Sequence, residues 1–188
     1  MSSHHIVRDD QEPALVIDDF DAIEPVLLDQ LLEWSPTVLV GMAAFEAVVL
    51  HGRKVDVLIT DIPGEPLQDH VKVLPLRGTL INTALTYLIG KAYPAVTVIA
   101  DGIRPESLLP YVSLIRVSII TKGHRYYAVS SGFSQWKPKN EIVYIVDEPS
   151  IRGTTGLTRI GSGCFRTNQD GFYSVAFDAP YGIIGETL

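Results

Sequence analysis

The chain has 188 residues, a formal net charge of −7 and 46% hydrophobic residues, enough to bury a substantial core in one domain or two small ones. Its acidic balance, with no cluster of Lys or Arg, lacks the electrostatic footprint that holds nucleic acid or an anionic membrane. Apolar runs such as 96–100 and 114–120 fall far short of the roughly 20 residues that cross a bilayer, and a single cysteine, Cys164, excludes an internal disulfide and suits a reducing compartment.

The first ten residues are acidic and lack an apolar h-region, so neither a secretory signal nor a transit peptide is read there and the cytoplasm is the expected location. Residues 1–34 carry nine acids against one base, Arg8, the pattern of a solvated charged face. His4 and His5 could chelate a metal, but a terminal pair without a carboxylate partner reads as unstructured.

From residue 14 to 121 short β-branched runs alternate with helical patterns, the signature of a parallel sheet covered by helices. Strands are predicted at 14–17, 37–40, 55–60, 71–74, 95–100 and 116–121, each apolar on both faces as buried parallel strands are. Helices are predicted at 22–34, with Ile23, Val26, Leu27, Gln30 and Leu31 in i, i+3, i+4 spacing, at 42–51, and at 79–91 with Leu85, Leu88 and Ile89 on one face. Pro36 ends the first of these and Gly52 the second, while Thr79 stands as N-cap of the third and would aim free backbone N–H groups above the preceding strand.

After Lys122 and Gly123 the texture changes. Short alternating segments at 124–130, 141–146, 163–167, 173–177 and 182–184 are separated by Gly, Pro, Asn and Asp, and helical periodicity is absent. The fold class read from these patterns is α/β: an N-terminal parallel-sheet domain of nucleotide-binding type, residues 1–121, followed by a small C-terminal all-β sandwich, residues 122–188.

Three loops of the first half carry the residues with chemistry. They are Thr60-Asp61-Ile62-Pro63-Gly64, Arg77-Gly78-Thr79-Leu80 and Asp101-Gly102-Ile103-Arg104-Pro105-Glu106-Ser107. In outline they resemble the catalytic domain of thiamine pyrophosphokinases, whose motifs are Gly-Asp-x-Asp-Ser, Asp-x-Thr-Asp and Arg-x-Asp-His. Asp61 matches the first acid of the first motif, with Thr60, Pro63 and Gly64 where Gly, Asp and Ser stand. Thr79 matches in the second, where Arg77 and Leu80 occupy both acid positions. Arg104 matches in the third, where Glu106 replaces Asp and Ser107 replaces His. Residues 38–61 resemble the family's opening strand, helix and strand, with Gly41-Met42-Ala43 in place of Asp-Gly-Ala. Thr154-Thr155-Gly156-Leu157 and Thr167-Asn168 are similar to a Thr-x-Gly-Leu segment and a later Ser-Asn pair.

The resemblance implies a catalytic-type α/β half, a β-sandwich half that pairs two chains with thiamine lying between them, and ATP with Mg2+ as cofactors where the protein is active. Asp61 is then the metal ligand, with Asp101 and Glu106 as the remaining catalytic carboxylates; Arg77, Thr79, Arg104, Trp136, Thr167 and Asn168 are the binding residues. Each has a plainer reading. Asp61 is also a common turn-former before a Pro-Gly pair, and Arg77 and Arg104 are either a phosphate clamp or surface charges. Glu106 and Asp101 are either acid–base groups or carboxylates welcomed at a helix start or strand end. Trp136 is either a stacking surface for a flat ligand or a sandwich-core residue.

An arginine cannot ligate a metal, so Arg77 at an acid position argues against the usual magnesium site. Two functions follow: a homodimer that binds thiamine or a nucleotide with weak or lost diphosphoryl transfer, or an active enzyme with a rearranged metal site. No dinucleotide loop, Walker loop, CxxC or zinc spacing is present, and Cys164, near Arg166, has no sequence context that makes it catalytic.

Overall fold

The structure is a computed structural model, and it describes residues 12–34, 37–62, 70–146 and 148–188. The chain divides into two compact units, one formed by residues 1–102 and 114–122, the other by residues 103–113 and 123–188. The segment 103–113, which follows the fifth strand in sequence, therefore clusters with the β-rich residues.

The first unit is a six-stranded parallel sheet built from β1 (Ala14–Ile17), β2 (Thr37–Gly41), β3 (Val57–Thr60), β4 (Lys72–Pro75), β5 (Ala95–Ile99) and β6 (Arg116–Thr121). Pairing runs β6-β5-β1-β2-β3-β4, all parallel. Central β1 and β2 are buried at every position. β4 departs from the expectation of apolar faces throughout, because Lys72 and Pro75 are exposed; with one partner strand, it tolerates a charge and a proline that a central strand would not.

Among the described residues of this unit are three α-helices: α1 (Pro25–Glu33), α2 (Met42–Leu50) and α3 (Leu80–Gly90). α1 starts three residues later than the periodicity predicted, because Phe20–Ala22 forms a 3-10 turn and Pro25 takes the first helical position, where its missing N–H costs nothing. The inward face is accordingly different. Leu28 is buried and Leu27, Leu31 and Leu32 pack beside it, whereas Val26 is 69% exposed and Gln30 is exposed. Pro36, the predicted stop, lies outside the described residues. α2 ends as predicted at Gly52, whose φ of 68° lets its N–H reach Val49 O at 2.9 Å while Arg53 N–H reaches Val48 O at 3.1 Å, a left-handed cap that satisfies the last carbonyls. Thr79 caps α3 by accepting from Asn82 N–H at 3.2 Å.

The second unit is all-β apart from 3-10 turns. β7 (His124–Ser130), β9 (Ile142–Val146), β11 (Leu157–Gly161), β12 (Cys164–Thr167) and β14 (Tyr181–Thr187) pair antiparallel in the order β11-β12-β9-β14-β7. β8 (Phe133–Lys137), β10 (Ile151–Thr155) and β13 (Gly171–Phe177) form a three-stranded sheet, β10-β13-β8. The two sheets share a core in which Val143, Ile145, Phe165 and Ile184 meet Tyr173, Val175 and Phe177. β8, β10 and β11 were not predicted. Hydroxyls, charges and glycines dominate Ile151–Thr155 and Leu157–Gly161, so their alternation is too weak to read and their pairing comes from neighbouring strands. A seven-residue 3-10 helix, Pro105–Tyr111, is also additional to the predicted elements.

Gly182 on β14 holds this core open for an aromatic ring: a Cβ there would stand inside the Phe177 ring, and Phe177 is 1% exposed. Gly182→Ala therefore overpacks a filled site, at a cost of about 2–3 kcal/mol read by urea denaturation. Gly153→Ala, with nothing within 4 Å of its added carbon, stays within about 0.5 kcal/mol of the parent.

Candidate functional site

The strands of the first unit all point their carboxyl ends the same way, and the chain order reverses between β1 and β5, the position where open α/β sheets bind ligands. The loops there are tied together. Asp18 and Asp19 N–H groups both reach Ile99 O, at 2.9 and 3.3 Å, and Asp19 turns its carboxylate onto Asp21 N–H at 3.0 Å. Asp18 is half-buried, and burial, reinforced by the charge of Asp19, pushes its carboxyl above the ordinary value of 3.8. One of its oxygens lies 3.4 Å from where a Cβ would stand on Gly41. Sequence reading missed Asp18; its signal was an acid directly after the first buried strand.

Gly41 ends β2, and the Leu80 side chain from the start of α3 rests on its bare backbone, too close for any Cβ. Two positions aligned with family acids thus meet here as hydrocarbon on glycine. Asp61 is exposed at the end of β3, and Ile62 N–H is turned back onto Thr60 Oγ1 at 3.0 Å. Arg77 follows the adjacent strand end, where Leu76 N–H donates to Thr60 O at 2.9 Å. The Arg77 backbone is pinned from below: its N–H donates to the hydroxyl of buried Thr83 at 2.9 Å, and that hydroxyl donates to Thr79 O at 3.0 Å. The guanidinium itself is exposed and has no ion-pair partner among the described residues.

Asp101 lies two residues beyond β5 and is bound by Lys122, whose ammonium is the first cause, ahead of Gly102 N–H, of a carboxyl held below its ordinary value. Three strand spacings separate the ends of β5 and β3, roughly 14 Å, so the structure does not bring Asp101 and Asp61 onto one ion. Among the described residues no three His, Cys, Asp or Glu side chains converge as metal ligands. An octahedral ion that draws on several oxygen ligands is not fitted by Asp61 alone at the end of β3 or by Asp101 paired with an ammonium. Pro63 and Gly64, aligned with the rest of that motif, lie outside the described residues, as do His4 and His5.

The other predicted site residues lie in the second unit. Arg104 is exposed at the start of the 3-10 helix, and Glu106 is exposed in its first turn. Thr167 is buried and held in its own turn, accepting from Glu141 N–H at 2.9 Å and donating to Pro138 O at 2.6 Å. Asn168 is exposed, with its N–H on Gly156 O at 3.1 Å, and Leu157 pairs with Thr167, so the Thr-x-Gly-Leu and Thr-Asn segments are brought together. Trp136 is not a core residue. It is 53% exposed and pairs across strands with Phe172, itself 71% exposed, giving an aromatic patch on the outer face of the three-stranded sheet. On the inner face a polar network missed by sequence reading joins Tyr127 to Glu186 at 2.8 Å, Tyr173 to Gln135 at 3.0 Å and Lys137 to Glu186 at 3.1 Å. Burial is the main cause that keeps both phenols protonated well above their usual range.

No protein-family model matches the sequence, and no curated protein matches it. Solved structures do. The chain superposes on yeast thiamin pyrophosphokinase with a TM-score of 0.64 at 10% identity, over 98% of this chain and 88% of that one. The thiamine pyrophosphokinase of Bacillus subtilis gives 0.63 at 14% identity over 94% and 99%, and that of Geobacillus thermodenitrificans 0.63 at 12% over 93% and 97%. The fold is that of the thiamine pyrophosphokinases. At these identities the fold is what is shared, so the expected resemblance holds at that level. Among the described residues no helix is long and apolar enough to cross a membrane.

Two substitutions probe the carboxyl edge. The folded protein holds the Asp18 proton more tightly than the unfolded chain does, so ionising it costs stability as pH rises through the folded value. Asp18→Asn therefore raises Tm at pH 7, and the gain fades as pH falls from the raised folded value toward the ordinary 3.8; thermal melts across pH 3–7 measure it. Thr83→Val strands the Arg77 N–H and lowers stability by about 1–2 kcal/mol, with the loss read by denaturation and the loosened 77–79 loop by amide exchange.

Proposed function

We propose that this chain is a thiamine pyrophosphokinase-like binding protein, a cytoplasmic homodimer that holds thiamine or a nucleotide and transfers diphosphate weakly or not at all. The observation that carries the reading is Leu80 packed on Gly41. Where the resemblance expects two acids, a hydrocarbon contact fills the space, and Arg77 takes a third acid position beside Asp61. Diphosphoryl transfer from ATP depends on cations that neutralise developing phosphate charge, and losing one such electrostatic partner costs on the order of 10² to 10³ in rate.

Binding is supported separately. Arg77, held by its backbone with its guanidinium free, is suited to a phosphate or carboxylate through paired hydrogen bonds, and the N-terminus of α3 behind Thr79 adds backbone donors of the same preference. On the second unit the half-exposed Trp136 with Phe172 offers a flat aromatic surface to a heterocyclic ring or to a second chain, and Asn168 is a free amide. Arg104 stays in the proposal as a second anion contact. Were transfer retained, Asp61, Asp101 and Glu106 would have to supply its carboxylates.

Thermal-shift titration with thiamine, and separately with ATP and Mg2+, tests this together with an assay for thiamine diphosphate. Expected are a rise in Tm with at least one ligand, no product, and an affinity for thiamine about tenfold weaker in Trp136→Ala. Product formation that vanishes in Asp61→Ala would overturn the loss of transfer. No shift with either ligand would overturn binding.

A further inference from the structure

The second unit contains a cavity that the reading above does not use. It has a volume of 230 Å³ and lies under the 3-10 helix Pro105–Tyr111, which packs on β7 and β14. Leu109 and Val112 line it from the helix side, Val146 and Ile183 from the sheet, and Pro180 from the turn before β14. Leu108, fully buried, anchors the helix in place. Among the described residues lining it, Glu106 is the one charged group; Ser150 and Tyr181 are the polar but uncharged ones.

The Glu106 carboxylate has no cationic partner among the described residues, and it stands near enough to Tyr126 that its charge adds to burial and to Tyr144 in keeping that phenol protonated. An apolar chamber with one unneutralised carboxylate at its rim selects by sign. Apolar walls reward a hydrocarbon body at about 25 cal/mol per Å² removed from water, and the carboxylate rewards an ammonium and repels an acid. Size narrows the choice further. A 150 Å³ apolar cavity holds benzene, and drug-sized ligands occupy roughly 300–1,000 Å³, so this volume suits one ring with a short arm and is small for a nucleotide.

We infer that the Glu106 cavity is a binding site for a small organic ammonium, a single aromatic or aliphatic ring carrying a cationic amine on a short arm. The ring enters between Leu109 and Ile183, and the amine stays at the rim against Glu106. The site lies wholly within the second unit and does not rest on the thiamine or nucleotide reading.

Benzylamine, benzyl alcohol and phenylacetate share one ring and differ in the charge of the arm, so a titration of each into the full-length protein, followed by amide and methyl NMR shifts, isolates the sign preference. Benzylamine is expected to bind about fivefold more tightly than benzyl alcohol, phenylacetate most weakly, with shifts centred on Val146, Ile183 and Leu109. Glu106→Gln, at an exposed position that keeps the fold, removes the preference for benzylamine while benzyl alcohol binds as before. Leu109→Trp, a filling substitution at a position already 38% exposed, abolishes all three. The inference is overturned if wild-type protein binds none of them, if benzylamine is no better than benzyl alcohol, if its advantage survives Glu106→Gln, or if the shifts map elsewhere.

Discussion

Burial of β1 and β2 on both faces is the constraint from which the first unit follows. A strand with no wet side must spend every backbone group on its neighbours, so polar side chains are driven to the strand ends, and in a parallel sheet all carboxyl ends share one edge. Acids, arginine and the start of α3 gather there for that reason before any ligand is considered. The edge then differentiates by what each loop can neutralise. Asp101 has Lys122, Asp19 has the turn at Asp21, and Asp18 and Arg77 are left with unspent charge, one partly desolvated and one in water.

Bare backbone does comparable work in each unit. Gly41 admits Leu80 and lets Asp18 lie close, while Gly182 admits the Phe177 ring into the sandwich core. In both places an absent Cβ is what permits the contact. At Gly41 the contact sets a leucine side chain on the backbone at the end of β2. At Gly182 the consequence is packing alone. Thr83 shows the complementary device, a buried hydroxyl that both accepts and donates and so fixes the backbone of the Arg77 loop without touching its guanidinium.

Much of the α/β unit was legible in the sequence. Val, Ile and Leu runs of four to six residues bounded by turn residues can be little else than buried strands, and the Ala14–Ile17 and Arg116–Thr121 strands stand where the pattern put them. α1 was harder, because a 3-10 turn and a proline shifted its start and an i, i+3, i+4 reading of Val26 and Gln30 fitted the wrong face. In the β unit, β8, β10 and β11 carry too few apolar residues to announce themselves. Asp61, Arg77 and Thr79 were findable as chemistry at strand ends. Asp18 carried the same strand-end signal and was missed, while the Glu186 network and the Glu106 cavity were not findable, since each is defined by neighbours far away in sequence.

What the sequence determined by itself is the local grammar: which segments are strand or helix, and where α2 and α3 are capped, because propensity, periodicity and residue chemistry act over a few neighbours. Only the tertiary structure decided that Leu80 rests on Gly41, that Trp136 faces outward beside Phe172, that Thr167 is held in its own turn, and that Asp61 and Asp101 follow strands three places apart. Those are outcomes of strand order and side-chain packing, which depend on contacts between residues that the sequence lists far apart and the fold sets side by side.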